Sequence, residues 1–305
     1  MKIVVSGGIG FIGRSLVGSG MSVTVLSRNP LQASAVLDPS INVVEWDAVT
    51  SGAWENELDS AMAVINLAGA PIADARWTPA RKRLLTESRV LTTRLLVEAL
   101  SRRSSKPRTL ISASGIGYYG ASDDRVLDEG AARGQGFLAD LCLAWEAEGL
   151  RAAEFGVRVV MLRTGMVLEQ DGGALPKMLL PFRFFAGGPI TPATQWVSWI
   201  HRRDHIGLIQ WLLTTPSVSG PVNAVAPEAV TMHRFCEVLG RVLHRPSWLP
   251  LPGFALHVAL GELGTLMTTG QRVNPAKALS GGYVFHYPTL EPALRAIVTE
   301  GQRRV

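Results

Sequence analysis

The chain has 305 residues, 47% of them hydrophobic and 18% charged, with a formal net charge of +5. That length allows one large domain or two smaller ones with a sizeable core, and the composition excludes a disordered chain. Cys142 and Cys236 are too few and too far apart for a zinc site or a disulfide framework, so no metal site is expected. The basic residues are scattered and no nucleic-acid reader motif accompanies them, which argues against a nucleic-acid partner. No uncharged apolar run reaches the roughly 18 residues of a membrane span. Residues 1–20 lack a basic segment followed by an apolar run, so a cytoplasmic setting without membrane association is expected.

In chain order, Lys2–Ser6 is a β-branched strand and Phe11–Val17 a helix. Ser22–Leu26, Asn42–Glu45 and Ala61–Asn66 are further strands, followed by a long amphipathic helix over Pro79–Ser104. Pro107–Ser112 is a strand, Phe137–Phe155 a helix and Val157–Leu162 another strand. Strands alternating with helices imply parallel pairing, hence a Rossmann-type, doubly wound α/β sheet. Beyond Arg163 the pattern changes: residues 169–198 are rich in Gly, Pro and aromatics, with one helix near 174–185. A helix over 203–214, a last strand at Pro221–Val225, and helices near 231–243, 253–267 and 289–299 complete the chain. The expected organisation is a dinucleotide-binding domain over 1–168, to which 196–225 return. Residues 169–195 and 226–305 would form a smaller, mainly helical lid.

The first chemical signal is Ser6-Gly7-Gly8-Ile9-Gly10-Phe11-Ile12-Gly13, in which Gly7, Gly10 and Gly13 recur every third residue. Such glycines permit a tight turn out of a strand, close approach of backbone to a pyrophosphate, and close packing of the following helix. The first helical N–H groups, those of Phe11 and Ile12 included, would face the phosphates with the positive end of the helix dipole. A strand before the glycines and a helix after them supply the required context. At the end of the second strand, NAD sites commonly carry a carboxylate for the ribose hydroxyl. Here Ser27-Arg28-Asn29 stands instead, and Arg28 suits a 2′-phosphate, so NADP(H) is expected over NAD(H).

These residues, with Asn66-Leu67-Ala68-Gly69, Arg76-Trp77, Ser88-Arg89-Val90, Ser112 to Gly120, Trp145-Glu146, Gly172 to Leu175, Gln195 to His201 and Gly270 to Val273, carry a resemblance. The chain resembles an extended short-chain dehydrogenase/reductase. More narrowly, it resembles the "epimerase family protein" branch, whose members are labelled nucleoside-diphosphate-sugar epimerases or cell-division inhibitors. The resemblance implies that Leu67, Ala68 and Gly69 pass the cofactor's ribose and phosphates, and that Ser112 and Arg163 lie on the cofactor's side of the site.

The superfamily works with Ser, Tyr and Lys, the last two spaced Tyr-x-x-x-Lys, the lysine lowering the tyrosine pKa so that the phenolate acts as a base. With Glu146 aligned to the family's glutamate, Cys142 stands at the lysine position and Leu138 at the tyrosine position. No Tyr-x-x-x-Lys occurs in the chain. The serine position falls on Gly115, or on Ser114 if one residue is inserted. Ser114, Tyr118 and Tyr119 remain as catalytic candidates, and a tyrosine without a neighbouring cation donates a proton more readily than it takes one. In the lid, Gln195, Trp199 and His201 share one face if their segment is extended, and Arg76 and Trp77 overhang the crevice; all five are candidate substrate residues. The expected function is an NADP(H)-binding oxidoreductase or epimerase-like enzyme acting on a carbonyl or alcohol, with a sugar nucleotide as the candidate substrate by family analogy. The alternative is a regulatory or scaffold protein that binds the dinucleotide without chemistry. Either a monomer or a homodimer fits the sequence.

Overall fold

The computed structural model describes residues 2–302. Strands β1 (Ile3–Ser6), β2 (Val23–Ser27), β3 (Asn42–Glu45), β4 (Ala63–Asn66) and β5 (Thr109–Gly115) alternate with helices α1 (Phe11–Val17), α2 (Pro30–Val36) and α3 (Pro79–Arg102). A short strand β6 (Val126–Leu127) and helix α4 (Phe137–Leu150) lead to β7 (Arg158–Thr164). Then come β8 (Met166–Glu169), β9 (Gly172–Gly173), α5 (Leu175–Arg183), β10 (Trp196–Val197), β11 (Trp199–His201), α6 (Arg202–Thr214) and β12 (Gly220–Ala224). The remainder comprises β13 (Val230–Thr231), α7 (Met232–Leu243), α8 (Gly253–Leu260), α9 (Glu262–Thr268), β14 (Arg272–Val273), α10 (Ala276–Ser280) and α11 (Leu290–Gln302).

Seven strands form one parallel sheet in the order β12-β7-β5-β4-β1-β2-β3. The near-continuous apolar runs of the sequence follow from this arrangement, because helices cover both faces. Ile3 and Val5 point to one face, with Leu16 of α1 and Ile206 and Ile209 of α6. Val4 points to the other, with Leu96 and Leu100 of α3. The chain runs outward from β1 through β2 to β3, then crosses to β4 on the other side of β1. Beyond the carboxyl ends of β1 and β4 this reversal opens the crevice in which such sheets bind ligands.

The C-terminal region is mainly helical. Its own core gathers Leu179 and Phe182 of α5, Phe235 and Leu239 of α7 and Leu294 and Ile297 of α11 around Trp199. β11 lies parallel to β8, and β12 rejoins the large sheet beside β7.

Three local differences from the sequence reading have physical causes. The 253–267 segment is two helices, because Gly261 turns the chain with φ +62 between α8 and α9. The 137–155 helix ends as α4 at Leu150 and tightens into a 3-10 turn over Arg151–Phe155, which Gly156 stops at φ +79. Helix α2 is an addition whose signal lies in Asn29-Pro30: the Asn29 side chain accepts the Gln32 N–H and Pro30 opens the first turn. No helix among the described residues is long and apolar enough to cross a membrane.

Candidate functional site

The glycine turn is built by contact as much as by torsion. Gly7 has φ +75, and a Cβ there would lie 2.7 Å from the Leu67 carbonyl carbon and oxygen, so the β1 and β4 loops touch through this residue. At Gly13 a Cβ would lie 2.2 Å from the Gly7 carbonyl oxygen, so α1 presses directly on the turn that precedes it. Gly10 is exposed, caps α1 and brings no side-chain hydrogen bond to the helix N-terminus. The first-turn N–H groups of Phe11 and Ile12 therefore open on the crevice, a cradle suited to a pyrophosphate. The Phe11 side chain does something else. Its ring packs where Gly172 and Gly173 lack side chains, with the Arg202 guanidinium 5.2 Å from its centroid. Ile12 packs against the sheet core.

At the end of β2, Arg28 is exposed and forms no ion pair among the described residues. Ser27 is buried; its hydroxyl donates to the Asn29 carbonyl and accepts the Asn29 N–H, which shapes the turn into α2. At the end of β4 a polar hub appears that the sequence reading lacked. The buried Asn66 Oδ1 accepts from Ser6 Oγ at 2.7 Å and from the Ala68 N–H at 3.3 Å, while its Nδ2 donates to Thr93 Oγ1 at 2.8 Å. Asn66 thereby holds Leu67, Ala68 and Gly69 beside the glycine turn. Ser112 belongs to the same hub. It is completely buried, 3.4 Å from Asn66 Nδ2, and its side chain faces the layer beneath α4 rather than the crevice. The expectation that Ser112 meets a cofactor is corrected accordingly.

The far end of the site is organised by a buried ion pair. Arg163, from β7, donates through Nε and Nη2 to the two carboxylate oxygens of Glu146 on α4, each at 2.8 Å. Ser114 Oγ donates to the same Glu146 oxygen at 2.7 Å. Arg163 Nη1 donates to the Tyr119 hydroxyl at 3.0 Å, and Tyr119 in turn donates to Asn223 Oδ1 at 2.7 Å. The Asn223 N–H reaches Glu129 Oε1 at 3.0 Å. One continuous network thus ties β5, β7, β12 and α4 together. Burial alone would lower the Arg163 pKa, but the hydrogen bonds and charge of Glu146 outweigh it and push the guanidinium well above its ordinary range. Burial raises the Tyr119 pKa, with Arg163 opposing. The expectation that Arg163 meets the cofactor is corrected by these contacts, since each of its nitrogens is engaged by Glu146, Tyr119 or the Glu129 carbonyl.

Of the three catalytic candidates, Ser114 and Tyr119 are buried in this network. Tyr118 is only partly buried. The Arg163 guanidinium lies 3.5 Å from its ring centroid, and its hydroxyl has no protein partner among the described residues. A Cβ on Gly117 would lie 2.9 Å from Leu138 Cβ, so Leu138 packs against the turn that follows β5. Cys142 Sγ lies 3.6 Å from the Gly115 carbonyl. Burial and the Glu146 charge push its thiol up to about 11, so it is neutral and cannot supply the charge of a lysine.

The candidates of the Gln195–His201 segment are turned inward rather than onto the crevice. Trp199 is completely buried in the C-terminal core and does not line the crevice. His201 caps α6, accepting the Arg203 N–H at Nδ1 over 3.0 Å and stacking on Tyr287 with centroids 4.2 Å apart. Gln195 is buried and donates to the carbonyls of Ile190 and Met267. All three hold the lid's architecture, which corrects their assignment to substrate. Arg76 is exposed and reaches across to α8, donating to the Val258 carbonyl at 2.6 Å. Trp77 packs edge-on to Phe137 and donates to the Ile72 carbonyl.

Two outcomes follow from these geometries. Glu146→Gln leaves the Arg163 guanidinium buried without its counter-charge, and the variant is expected to lose roughly 3–5 kcal/mol in urea unfolding. The second concerns His201 and His205, whose pKa values fall to about 4, chiefly by burial and at His201 also by the nearby Arg202 and Arg203. A histidine buried neutral binds fewer protons folded than unfolded, so stability rises with pH between the two pKa values. Unfolding free energy is expected to hold above pH 6.5 and to fall as pH drops toward about 4, by on the order of 3 kcal/mol per histidine. His205→Asn, measured over the same pH range, should lose stability less steeply.

Comparison with known proteins places this geometry. The family model described as "NAD dependent epimerase/dehydratase family" matches residues 3–225, and a domain of unknown function, DUF1731, matches residues 251–297. "Epimerase family protein SDR39U1 homolog, chloroplastic" of Arabidopsis thaliana is 41% identical over 98% of this chain and 87% of its own length. "Epimerase family protein YfhF" of Bacillus subtilis is 39% identical over 98% of this chain and 99% of its own. The crystal structure of human epimerase family protein SDR39U1 (isoform 2) with NADPH superposes with a TM-score of 0.87 at 33% identity, covering 98% of this chain and 99% of that one. The chain belongs to the NAD dependent epimerase/dehydratase family.

Proposed function

We propose that the protein binds NADP(H) and acts as an oxidoreductase or epimerase-like enzyme on a carbonyl or alcohol substrate. One observation carries the cofactor. The glycine turn opens first-turn N–H groups on the crevice, and at the neighbouring strand end an exposed Arg28, without an ion pair among the described residues, stands where an NAD site would place a carboxylate. The NADPH bound to the human relative supports the same reading. Gly7, Gly10, Gly13, Leu67, Ala68 and Gly69 would line the pyrophosphate and ribose path. The N–H groups of Phe11 and Ile12 would take phosphate, with Arg28 on the 2′-phosphate.

Bound NADPH would supply a hydride. What the chain supplies is a proton donor and its positioning. Tyr118 stands just past the carboxyl end of β5, its ring held by Arg163 and its hydroxyl without a protein partner among the described residues. We assign Tyr118 to donate a proton to the substrate oxygen during carbonyl reduction. The Arg163 guanidinium and the Tyr119 ring pack against Tyr118, and Glu146, which also accepts from Ser114, holds Arg163 in place. A sugar nucleotide is the substrate class that family analogy supports, and Arg76 and Trp77, on the loop after β4, would be the residues to meet it. One observation favours the second reading, a nucleotide-binding regulator without chemistry: the chain contains no Tyr-x-x-x-Lys, and the Cys142 thiol is neutral.

Calorimetric titration with NADPH and NADH tests the cofactor. NADPH is expected to bind the more tightly. Arg28→Ala is expected to weaken NADPH about tenfold, toward the NADH value. Equal affinity for the two nucleotides would remove Arg28 from the site. Incubation with NADPH and a panel of carbonyl compounds separates the two functional readings. Consumption of NADPH by the wild type and its loss in Tyr118→Phe would support the enzyme with Tyr118 as donor, whereas no consumption across the panel would support the regulator.

A further inference from the structure

Eight of the nineteen large apolar side chains exposed among the described residues fall within two short segments, 180–185 and 248–258. The exposed aromatics Phe184, Phe185, Trp248 and Phe254 are all there. The other exposed aliphatics are spread along the rest of the chain, as on most protein surfaces. The two segments form one surface. The Trp248 indole N–H donates to the Phe185 carbonyl at 3.0 Å, and the Trp248 and Leu249 N–H groups donate to the Gly187 carbonyl at 3.0 and 3.1 Å. The Leu251 N–H continues the pairing to the Pro189 carbonyl, and the Gly253 N–H to the Thr191 hydroxyl, each at 2.9 Å. Helix α8 starts there. It is apolar at every position except His257, yet it buries only Gly253. A helix that is apolar all round is ordinarily covered on all sides, so the face carrying Phe254 and Val258 lacks a partner.

Shape and charge decide between occupants. Phe184, Trp248, Phe254 and Val258 keep 74%, 64%, 73% and 74% of their surface exposed. Side chains that line a groove are shielded by its walls. These protrude, and offer no slot for a partner's helix or strand. The charge is one-sided as well. Residues 172–203 and 238–261 contain no Asp or Glu. Arg183, beside Phe184, is exposed and forms no ion pair among the described residues. The Arg245 guanidinium lies 4.4 Å from the Phe185 ring centroid and donates only to the His244 carbonyl. The flanking carboxylates are taken, Glu237 by Arg234 and Arg241 and Glu262 by Lys82. A symmetric contact with a second copy would set this uncompensated positive charge against itself. Protruding aromatics beside unpaired cations match the surface of an anionic bilayer, where rings settle at headgroup depth and basic side chains meet lipid phosphates.

We propose that the face formed by residues 180–185, 248–251 and α8 docks the protein on an anionic lipid surface. Phe184, Trp248 and Phe254 enter the headgroup layer, and Arg183 and Arg245 pair with phosphates. Such a contact lies in the plane of the interface and needs no spanning helix.

The test is flotation of the intact chain with two kinds of vesicle, phosphatidylcholine containing phosphatidylglycerol and phosphatidylcholine alone. The wild type is expected to float with the first and not with the second, and added salt is expected to release it by screening the cations. Arg183→Gln is expected to weaken binding about fivefold, the share of one interfacial cation. Phe184→Ser combined with Phe254→Ser is expected to abolish flotation, whereas Leu31→Ser, at an exposed leucine elsewhere, leaves it unchanged. Thermal unfolding at the wild-type temperature shows that the double variant is folded; if it is not, Trp248→Ser decides in its place by the same readings. Absence of wild-type flotation with the anionic vesicles overturns the proposal, as do equal flotation with phosphatidylcholine alone and undiminished flotation of the double variant. A wild-type dimer in sedimentation that the double variant splits in the absence of lipid assigns the face to a second copy and overturns it as well.

Discussion

Glu146 and Arg163 leave water together, and the carboxyl end of the central sheet is assembled around that pair. Each alone would carry a desolvation cost of several kcal/mol. Paired through two hydrogen bonds of 2.8 Å, they become an anchor with spare capacity on both sides. The carboxylate also accepts Ser114, and the guanidinium also reaches Tyr119 and covers the Tyr118 ring. Through Tyr119 and Asn223 the network continues to β12 and then to Glu129. A mutually satisfied buried network of this kind specifies one arrangement, since a shift of any member leaves another unpaired.

The same principle separates the arginines of the site by role. Every nitrogen of Arg163 has a protein partner, so it orients neighbours and has little left for a ligand. Arg28 is exposed, where water solvates its charge and a phosphate can displace that water. Arg89 is buried with a donor unused and no carboxylate beside it, which leaves a positive charge beneath the crevice floor. Residue type did not distinguish these cases. The positions of counter-charges did.

The lid shows how an apolar pattern can support two opposite readings. Gln195 to His201 carries two tryptophans and a histidine, and an extended segment would put Trp199 and His201 on one face. They do lie in extended backbone, but the face is turned into a second hydrophobic core between α5, α7 and α11. Trp196 faces the other way, donating to Asp124 and meeting the Arg272 guanidinium. Polar contacts also link the C-terminal helices to the first half of the chain: Arg76, on the loop after β4, donates to the Val258 carbonyl of α8, and Lys82, at the start of α3, pairs with Glu262 of α9.

The alternation of apolar runs with helical patterns determined the parallel sheet, because only βαβ crossovers satisfy strands buried on both faces. The glycine spacing determined the turn between β1 and α1, because no side chain fits at Gly7 or Gly13. The missing Tyr-x-x-x-Lys was equally plain in the sequence, a local pattern that needs no partner to be read. Contacts between residues distant in the chain were not legible. Ser112 and Arg163 lie on strands that enter the site, yet their side chains point into the layer beneath it, and strand register decides that orientation. Asn66 joins Ser6, Thr93 and Ser112 across three elements, and Arg89 meets Ala70, Leu85 and Trp145. Local sequence determined the elements and the phosphate turn because torsion and periodicity act over a few residues. Only the tertiary structure decided which charges are paired and which remain open, because burial and counter-charge are set by neighbours far away in the chain.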